Sequence, residues 1–462
     1  MPLTSINPFT GEQIAEYPEI AASELGALLE TAQKAAAQWS KTPISERVAV
    51  LRRTGALLVN ESDRCARLMA VEMGKPIRDG IAEIKKCSLV CQHYAERAND
   101  YLQPEKIFDG NPSGTVVFRP LGVLLGIMPW NYPFWQVFRF IAPALVAGNG
   151  AVLKHASNVT GCSLAIESIL HRAGVPSGLF RSLRISTAAI PAVIAHPAIQ
   201  GIALTGSTAA GIAVGQKAGA ALKKTVLELG GSDPYIILAD ADIPSAAAAC
   251  AKSRLLNSGQ SCIAAKRFIV IDSIREEFEA RLREEMAKPV LGDPLEEKTD
   301  LGPLVHARSC EEVHGQVRRS LKRGARCLLG GTYPLLPGSF YPPTLLTDVK
   351  PGMPAYDDEI FGPVASVIAA PNETEAVRIA NDTVFGLGAA IFTRDLEKGY
   401  RLAAEELVAG TCAVNDYVKS DPRLPFGGIK SSGHGRELSQ YGLREFVNVK
   451  SITVSSRVPV SI

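Results

Sequence analysis

Val123-Leu124-Leu125-Gly126-Ile127-Met128-Pro129-Trp130-Asn131-Tyr132-Pro133 is an apolar run of strand length that stops in a proline-bounded turn. Residues 133–147 then read as a helix and residues 151–154 as the next strand. Outward from this unit, short apolar runs at 115–118, 201–205, 225–229 and 235–238 surround helical patterns at 163–173 and 208–220. Strands alternating with helices predict a parallel sheet covered on both faces. A turn where such a strand gives way to a helix is a usual place for ligand contacts.

Upstream, the first hundred residues read as helices. Ser23 is placed to cap one running through Leu25, Leu28, Leu29 and Ala32, and Ser45 to cap a second through Val48, Leu51 and Leu58. A third ends near Gly74, and a fourth covers 77–101. Downstream, a second alternating block spans 242–424, with strands at 267–271, 365–369 and 411–414. Its helices are expected at 243–257, 274–287, 312–323 and 373–381. The tail at 446–454 alternates apolar with polar residues and reads as a strand. There is no internal repeat.

Composition narrows the class. With 49 basic and 47 acidic residues the net charge is +2, which gives no support to nucleic-acid or acidic-membrane binding. No apolar stretch reaches membrane-spanning length, and no targeting pattern opens the chain. The nine cysteines are odd in number and scattered, which suits free thiols in a reducing cytoplasm. Cys87 and Cys91 share a helical spacing but lack further ligands, so no metal is expected.

Four local constellations can carry chemistry. Asn257-Ser258-Gly259-Gln260-Ser261-Cys262 is a small-residue loop that can turn a thiol toward a cleft; the plainer alternative is a buried cysteine acting as a small hydrophobe. Glu228, in Val226-Leu227-Glu228-Leu229-Gly230-Gly231, lies in an apolar strand, where a raised pKa suits a general base. An outward-facing carboxylate is the alternative. Asn131 can donate to a developing oxyanion, or simply form a turn. Gly206 and Ser207, in Thr205-Gly206-Ser207-Thr208, open a helix whose N-terminus can hold a phosphate.

The order of these pieces, with Lys154, Glu359-Ile360-Phe361-Gly362-Pro363, Phe385-Gly386-Leu387 and Pro425-Phe426-Gly427-Gly428, resembles the aldehyde dehydrogenase family over nearly the whole chain. The resemblance implies that Cys262 attacks the aldehyde, Asn131 stabilises the oxyanion and Glu228 activates the water that hydrolyses the thioester. It also implies cofactor contacts from Trp130, Lys154, Ser157, Gly206, Ser207, Glu359 and Phe361. Many NAD-preferring members carry glutamate three residues after the lysine. Ser157 stands there instead, so NADP is expected to be preferred, with NAD also accepted. Ala264 replaces the second cysteine of some members, so no disulfide switch is expected.

Arg139, eight residues after Asn131, and the runs around Trp135 and Ser420 resemble a bacterial succinate-semialdehyde dehydrogenase branch. That likeness implies oxidation of succinate semialdehyde to succinate, with Arg139 and Ser420 binding the distal carboxylate. A structural ion pair is the alternative for Arg139. The second arginine that some relatives place six residues before the nucleophile is Leu256 here. Another small aldehyde, and in a different class a cysteine hydrolase, remain alternative activities.

The implied architecture is α/β: a Rossmann-type cofactor domain over 1–102 and 121–230, and an α/β catalytic domain over 231–428. Segments 103–120 and 429–462 would form a small β flap for oligomerisation. A homodimer or homotetramer is expected, because an exposed strand edge invites pairing.

Overall fold

The computed structural model describes residues 2–334 and 336–456. Val123–Met128 is a central strand of a six-stranded sheet, buried by its continuous apolar sequence. Gly150–His155 lies on one side of it and Ile199–Thr205 on the other, both parallel. Phe180–Ser182 extends the first side and Lys224–Glu228 the second. The chain therefore reverses its direction of sheet growth beside Val123–Met128. The carboxyl ends of the strands open a crevice at such a switch point. Residues 129–133, Gly206 and Glu228 all fall at that end.

A seven-stranded sheet follows the order Arg326–Leu329, Thr344–Thr347, Val364–Ala370, Arg267–Ile271, Pro234–Ile237, Gly388–Phe392 and Thr411–Val414. Its pairings are parallel except the first. Pro234–Ile237, read from sequence beside the first block, belongs to this second sheet. The chain crosses from one sheet to the other within Leu229–Asp233, so the Gly-Gly turn joins the two halves.

The helix Trp135–Ala147 is buried along its whole length, as expected for a segment apolar on every face. Ile77–Leu102 packs across it. The expected caps Ser23 and Ser45 are corrected: those helices are Ala22–Trp39 and Ile44–Asn60, with Ala21 and Pro43 at the cap positions. Glu24 accepts the Ala21 N–H at 3.3 Å, which does the work assigned to Ser23. Pro43 holds extended backbone and lets the second helix begin one residue before Ser45.

A three-stranded antiparallel sheet joins Val447–Val454, Ser113–Pro120 and Glu105–Phe108. Its outer strand exposes Val449, Ile452 and Val454. The intervening 429–446 stretch, grouped from sequence with the flap, packs elsewhere. Gly433–His434 pairs with Lys224–Glu228, and Ser439–Glu445 lies against Trp135–Ala147. A hairpin of Leu3–Ile6 and Gln13–Tyr17, absent from the sequence reading, is anchored by Ser5 Oγ at 2.8 Å from Glu72 Oε1. Among the described residues, no helix is long and apolar enough to cross a membrane, and no cluster of ligands could hold a metal.

Candidate active site

The Asn257–Cys262 loop is bent by its backbone. After Ile243–Leu255, Asn257 and Ser258 adopt φ of 55° and Gly259 of 75°. Left-handed conformations are costly for residues with a Cβ, and such strain collects at functional sites. The surroundings hold it. Asn257 Nδ2 donates to the Asn131 carbonyl at 2.9 Å, and Ser258 Oγ to the Gly302 carbonyl at 2.9 Å. Gly259 has no alternative, because a Cβ there would run into the Gly362 backbone.

This bend sets Cys262 against the Gly-Gly turn. A Cβ on Gly231 would lie 2.9 Å from the Cys262 carbonyl oxygen, and one on Gly230 would strike Glu359 Oε2. The glycines thus give space for two segments, from the loop and from the Glu359-Ile360-Phe361-Gly362-Pro363 stretch, to converge within three residues of Glu228. Lys266 binds them together. Its ammonium donates to the carbonyls of Cys262 at 2.8 Å, Ala264 at 3.1 Å and Ser261 at 3.2 Å, and lies 3.6 Å from Glu359 Oε1.

The Cys262 N–H makes no hydrogen bond among the described residues. Asn131, across the crevice, uses one amide N–H for the Gln260 carbonyl at 3.1 Å and retains the other. Burial pushes the Cys262 thiol up to about 12, opposed by Arg139 and Lys266. An oxyanion formed beside Cys262 would therefore find two free N–H groups.

Glu228 ends Lys224–Glu228 and is buried, unlike the outward-facing alternative. Neither carboxylate oxygen has a hydrogen-bond partner. Burial, followed by the neighbouring Glu437, holds its pKa well above the ordinary carboxylate range, while Arg139 and Arg436 oppose the shift. Its backbone carbonyl accepts the Gly206 N–H at 3.0 Å. That bond joins Glu228 to the turn that opens helix Thr208–Ala220, where Ser207 Oγ caps Ala210 N at 3.2 Å.

The remaining candidate cofactor residues lie around the same crevice. Trp130 and Phe361 meet edge to face at 5.8 Å. With Glu359 they line an open cleft of about 570 Å³. Lys154, one residue before the end of strand Gly150–His155, sets its ammonium on the His155 carbonyl, and Ser157 is exposed at the next turn. Glu359 Oε1 is buried without a hydrogen-bond partner. The N-terminus of helix Thr208–Ala220, the Lys154 ammonium and the Glu359 oxygen without a hydrogen-bond partner fit the phosphates and ribose hydroxyls of a dinucleotide.

Arg139 and Ser420 do not act as a simple pair. Arg139 is buried in an ion pair with Glu437, with Nη2 at 3.3 Å from Thr205 Oγ1 and its guanidinium 4.9 Å from the Phe426 ring. The structural-ion-pair alternative therefore describes its protein contacts. Ser420 Oγ instead accepts from Lys86 Nζ at 2.7 Å and Trp135 Nε1 at 3.1 Å.

Sequence reasoning missed Lys266, Lys86 and the buried pair of Lys75 with Glu83. The last pair supports the Asn131 turn: Lys75 donates to the Asn131 carbonyl at 2.9 Å, and Glu83 accepts the Phe134 and Trp135 N–H groups at 2.9 Å each. His155 also ties this turn. Its Nδ1 accepts the Ala156 N–H at 2.9 Å, and its Nε2–H donates to the Pro133 carbonyl at 2.8 Å.

Comparison with known proteins places this geometry in context. The aldehyde dehydrogenase family model matches residues 2–452. The succinate-semialdehyde dehydrogenase (NADP+) of Deinococcus radiodurans is 44% identical over 98% of this chain and 94% of its own. The succinate semialdehyde dehydrogenase (NAD(P)+) of Escherichia coli is 43% identical over 97% of each chain. A crystal structure of the succinic semialdehyde dehydrogenase from Streptococcus pyogenes, in complex with NADP+, is 35% identical with a TM-score of 0.96, covering 98% of this chain and all of that one.

Proposed function

The chain belongs to the aldehyde dehydrogenase family, and from that premise we propose that it oxidises succinate semialdehyde to succinate with NADP+, accepting NAD+ less well. The observation that carries this reading is the convergence of Cys262, Glu359 and Glu228 on the Gly230–Gly231 turn.

Asn131, Cys262 and Glu228 divide the chemistry. The Cys262 thiolate attacks the aldehyde carbon, and the carbonyl oxygen becomes an oxyanion held by the Asn131 amide and the Cys262 N–H. A bound nicotinamide would supply the acceptor for the hydride that the oxyanion expels from that carbon, which leaves the Cys262 thioester. Glu228 then takes a proton from water as its oxygen attacks the thioester carbon, and the Cys262 sulfur leaves as the acid is released. A carboxylate kept basic by burial suits that step. Retention of Glu228 favours hydrolysis over acyl transfer to coenzyme A.

Trp130, Lys154, Ser157, Gly206, Ser207, Glu359 and Phe361 are assigned to the cofactor. Lys154 and the Ser157 hydroxyl offer positive charge and a donor to a 2′-phosphate, with no carboxylate at position 157 to repel it. Arg139 and Ser420 are assigned to the substrate carboxylate, Arg139 through the N–H groups that do not face Glu437. The divisions 1–102 with 121–230 and 231–428 are retained as proposed cofactor and catalytic domains. The exposed outer strand Val447–Val454 supports assembly as a homodimer or homotetramer. Nine free cysteines fit the cytoplasm.

The test is reduced-cofactor formation with succinate semialdehyde and with butanal, each with NADP+ and NAD+, together with detection of free succinate without coenzyme A. A higher kcat/KM for succinate semialdehyde with NADP+ is expected. Preference for butanal, or a requirement for coenzyme A, would refute the reading.

A further inference from the structure

We propose that Lys86 is a substrate-specificity residue whose ammonium, together with the Ser420 hydroxyl, binds the distal carboxylate of the aldehyde. The inference rests on the carboxylated-aldehyde activity proposed above and adds the cation that the Leu256 position does not supply.

The placement follows from the helix pair. Glu83 pins the start of Trp135–Ala147 through the Phe134 and Trp135 N–H groups. Lys86, three residues after Glu83, shares its helix face. Its Nζ lies 4.1 Å over the Trp135 ring and 2.7 Å from Ser420 Oγ.

Donor and acceptor capacity then points to a missing anion. Ser420 Oγ receives both Lys86 Nζ and Trp135 Nε1, which occupies its two lone pairs. Its O–H proton has no acceptor among the described residues. Lys86 keeps two further N–H donors, and no carboxylate of the described residues lies within ion-pair distance of it. The neighbouring cations differ: Lys75 pairs with Glu83, and Arg139 pairs with Glu437. Burial, and then Arg139, brings the Lys86 ammonium down to about 8 against the weaker pull of the Glu83 and Asp421 carboxylates, neither of which forms an ion pair with it. A carboxylate would take the free Ser420 O–H and the spare Lys86 donors together.

The spacing suits a short chain. Trp135, the first residue of its helix, is four residues beyond Asn131, and the Tyr132 carbonyl accepts Gln136 N at 3.0 Å. Four residues span at most roughly 14 Å when extended, and the Gln136 to Tyr132 backbone bond shortens this stretch toward the reach of a four-carbon substrate.

The test compares the ratio of kcat/KM for succinate semialdehyde over butanal in the wild type, Lys86→Met and Lys86→Arg. It also measures inhibition of butanal oxidation by succinate. In Lys86→Met the ratio is expected to fall about 30-fold through KM, with succinate inhibition weakened similarly. Lys86→Arg, which keeps the charge, restores most of both and shows that the loss is not one of folding. A wild type that prefers succinate semialdehyde, with a Lys86→Met ratio within about twofold of it, overturns the assignment of Lys86 and leaves the substrate reading intact. A wild type without that preference overturns both.

Discussion

Lys266 Nζ lies 2.8 Å from the Cys262 carbonyl oxygen and 3.6 Å from the Glu359 carboxylate, so one ammonium fixes the Cys262 loop and the Glu359 acid together. Lys266→Met removes donors from three loop carbonyls and leaves Glu359 with less compensation. A fall in kcat/KM of about 10–100-fold is expected, with weaker NADP+ binding by fluorescence titration. Lost turnover with unchanged cofactor affinity would separate Lys266 from Glu359.

Glu228→Gln keeps the shape and removes the carboxylate proposed as the base. Rapid mixing should show one equivalent of reduced cofactor per subunit, followed by turnover slowed about 100–10,000-fold as the thioester persists. Because burial raises the Glu228 pKa in the folded state, its stabilising protonated form is lost as pH rises through that value. Glu228→Gln should therefore melt higher than the wild type at alkaline pH, with the gap closing in acid. A gap that widens in acid contradicts the assignment.

Removing Arg139 strands Glu437 beside Glu228. Breaking one side of a buried pair costs about 3–5 kcal/mol, so Arg139→Ala should lower Tm as well as raise KM for succinate semialdehyde. Adding Glu437→Gln should recover much of the stability but not the KM. Full recovery of both would leave Arg139 with the ion pair as its whole role.

His155 is held near a pKa of about 4 by burial, against about 6.5 when unfolded. Its contribution is present above pH 6.5 and is lost as pH falls from there toward 4, amounting to roughly 3 kcal/mol. Thermal melts from pH 7.5 to 4.5 should show a smaller acid-induced drop for His155→Gln than for the wild type. Equal drops would place the acid sensitivity elsewhere.

At the proposed cofactor position, Ser157→Glu should repel a 2′-phosphate and offer acceptors to ribose hydroxyls. The NADP+/NAD+ ratio of kcat/KM is expected to fall by about 100-fold. A ratio unmoved by the new charge would mean that the phosphate lies away from residue 157.

Elements with strong local signals were legible in the sequence. Val123–Met128, Thr208–Ala220, Arg267–Ile271, Glu373–Asn381 and Thr411–Val414 fall at their expected bounds, because apolar runs and caps coincide there. Ser23 and Ser45 misled because capping by Glu24 and an extended Pro43 outweighed a nearby hydroxyl. The short pair Leu3–Ile6 and Gln13–Tyr17 carries too little apolar pattern to declare itself. Lysines were the main blind spot. Lys75, Lys86 and Lys266 look like solvated charge in sequence, and only tertiary packing brings them to Glu83, Ser420 and the Cys262 carbonyl. Glu437, far along the chain, likewise gains meaning only beside Arg139.

The contact between Gly259 and the Gly362 backbone makes the distance from thiol to cofactor cleft a property of main chain against main chain. Side-chain rotamers can relax around a new neighbour; two abutting peptide units cannot. Exchanging the Glu359-Ile360-Phe361-Gly362-Pro363 segment for a relative's would carry its own offset straight into the position of Cys262. The two segments behave as one interchangeable cassette, and an engineered swap should move them together.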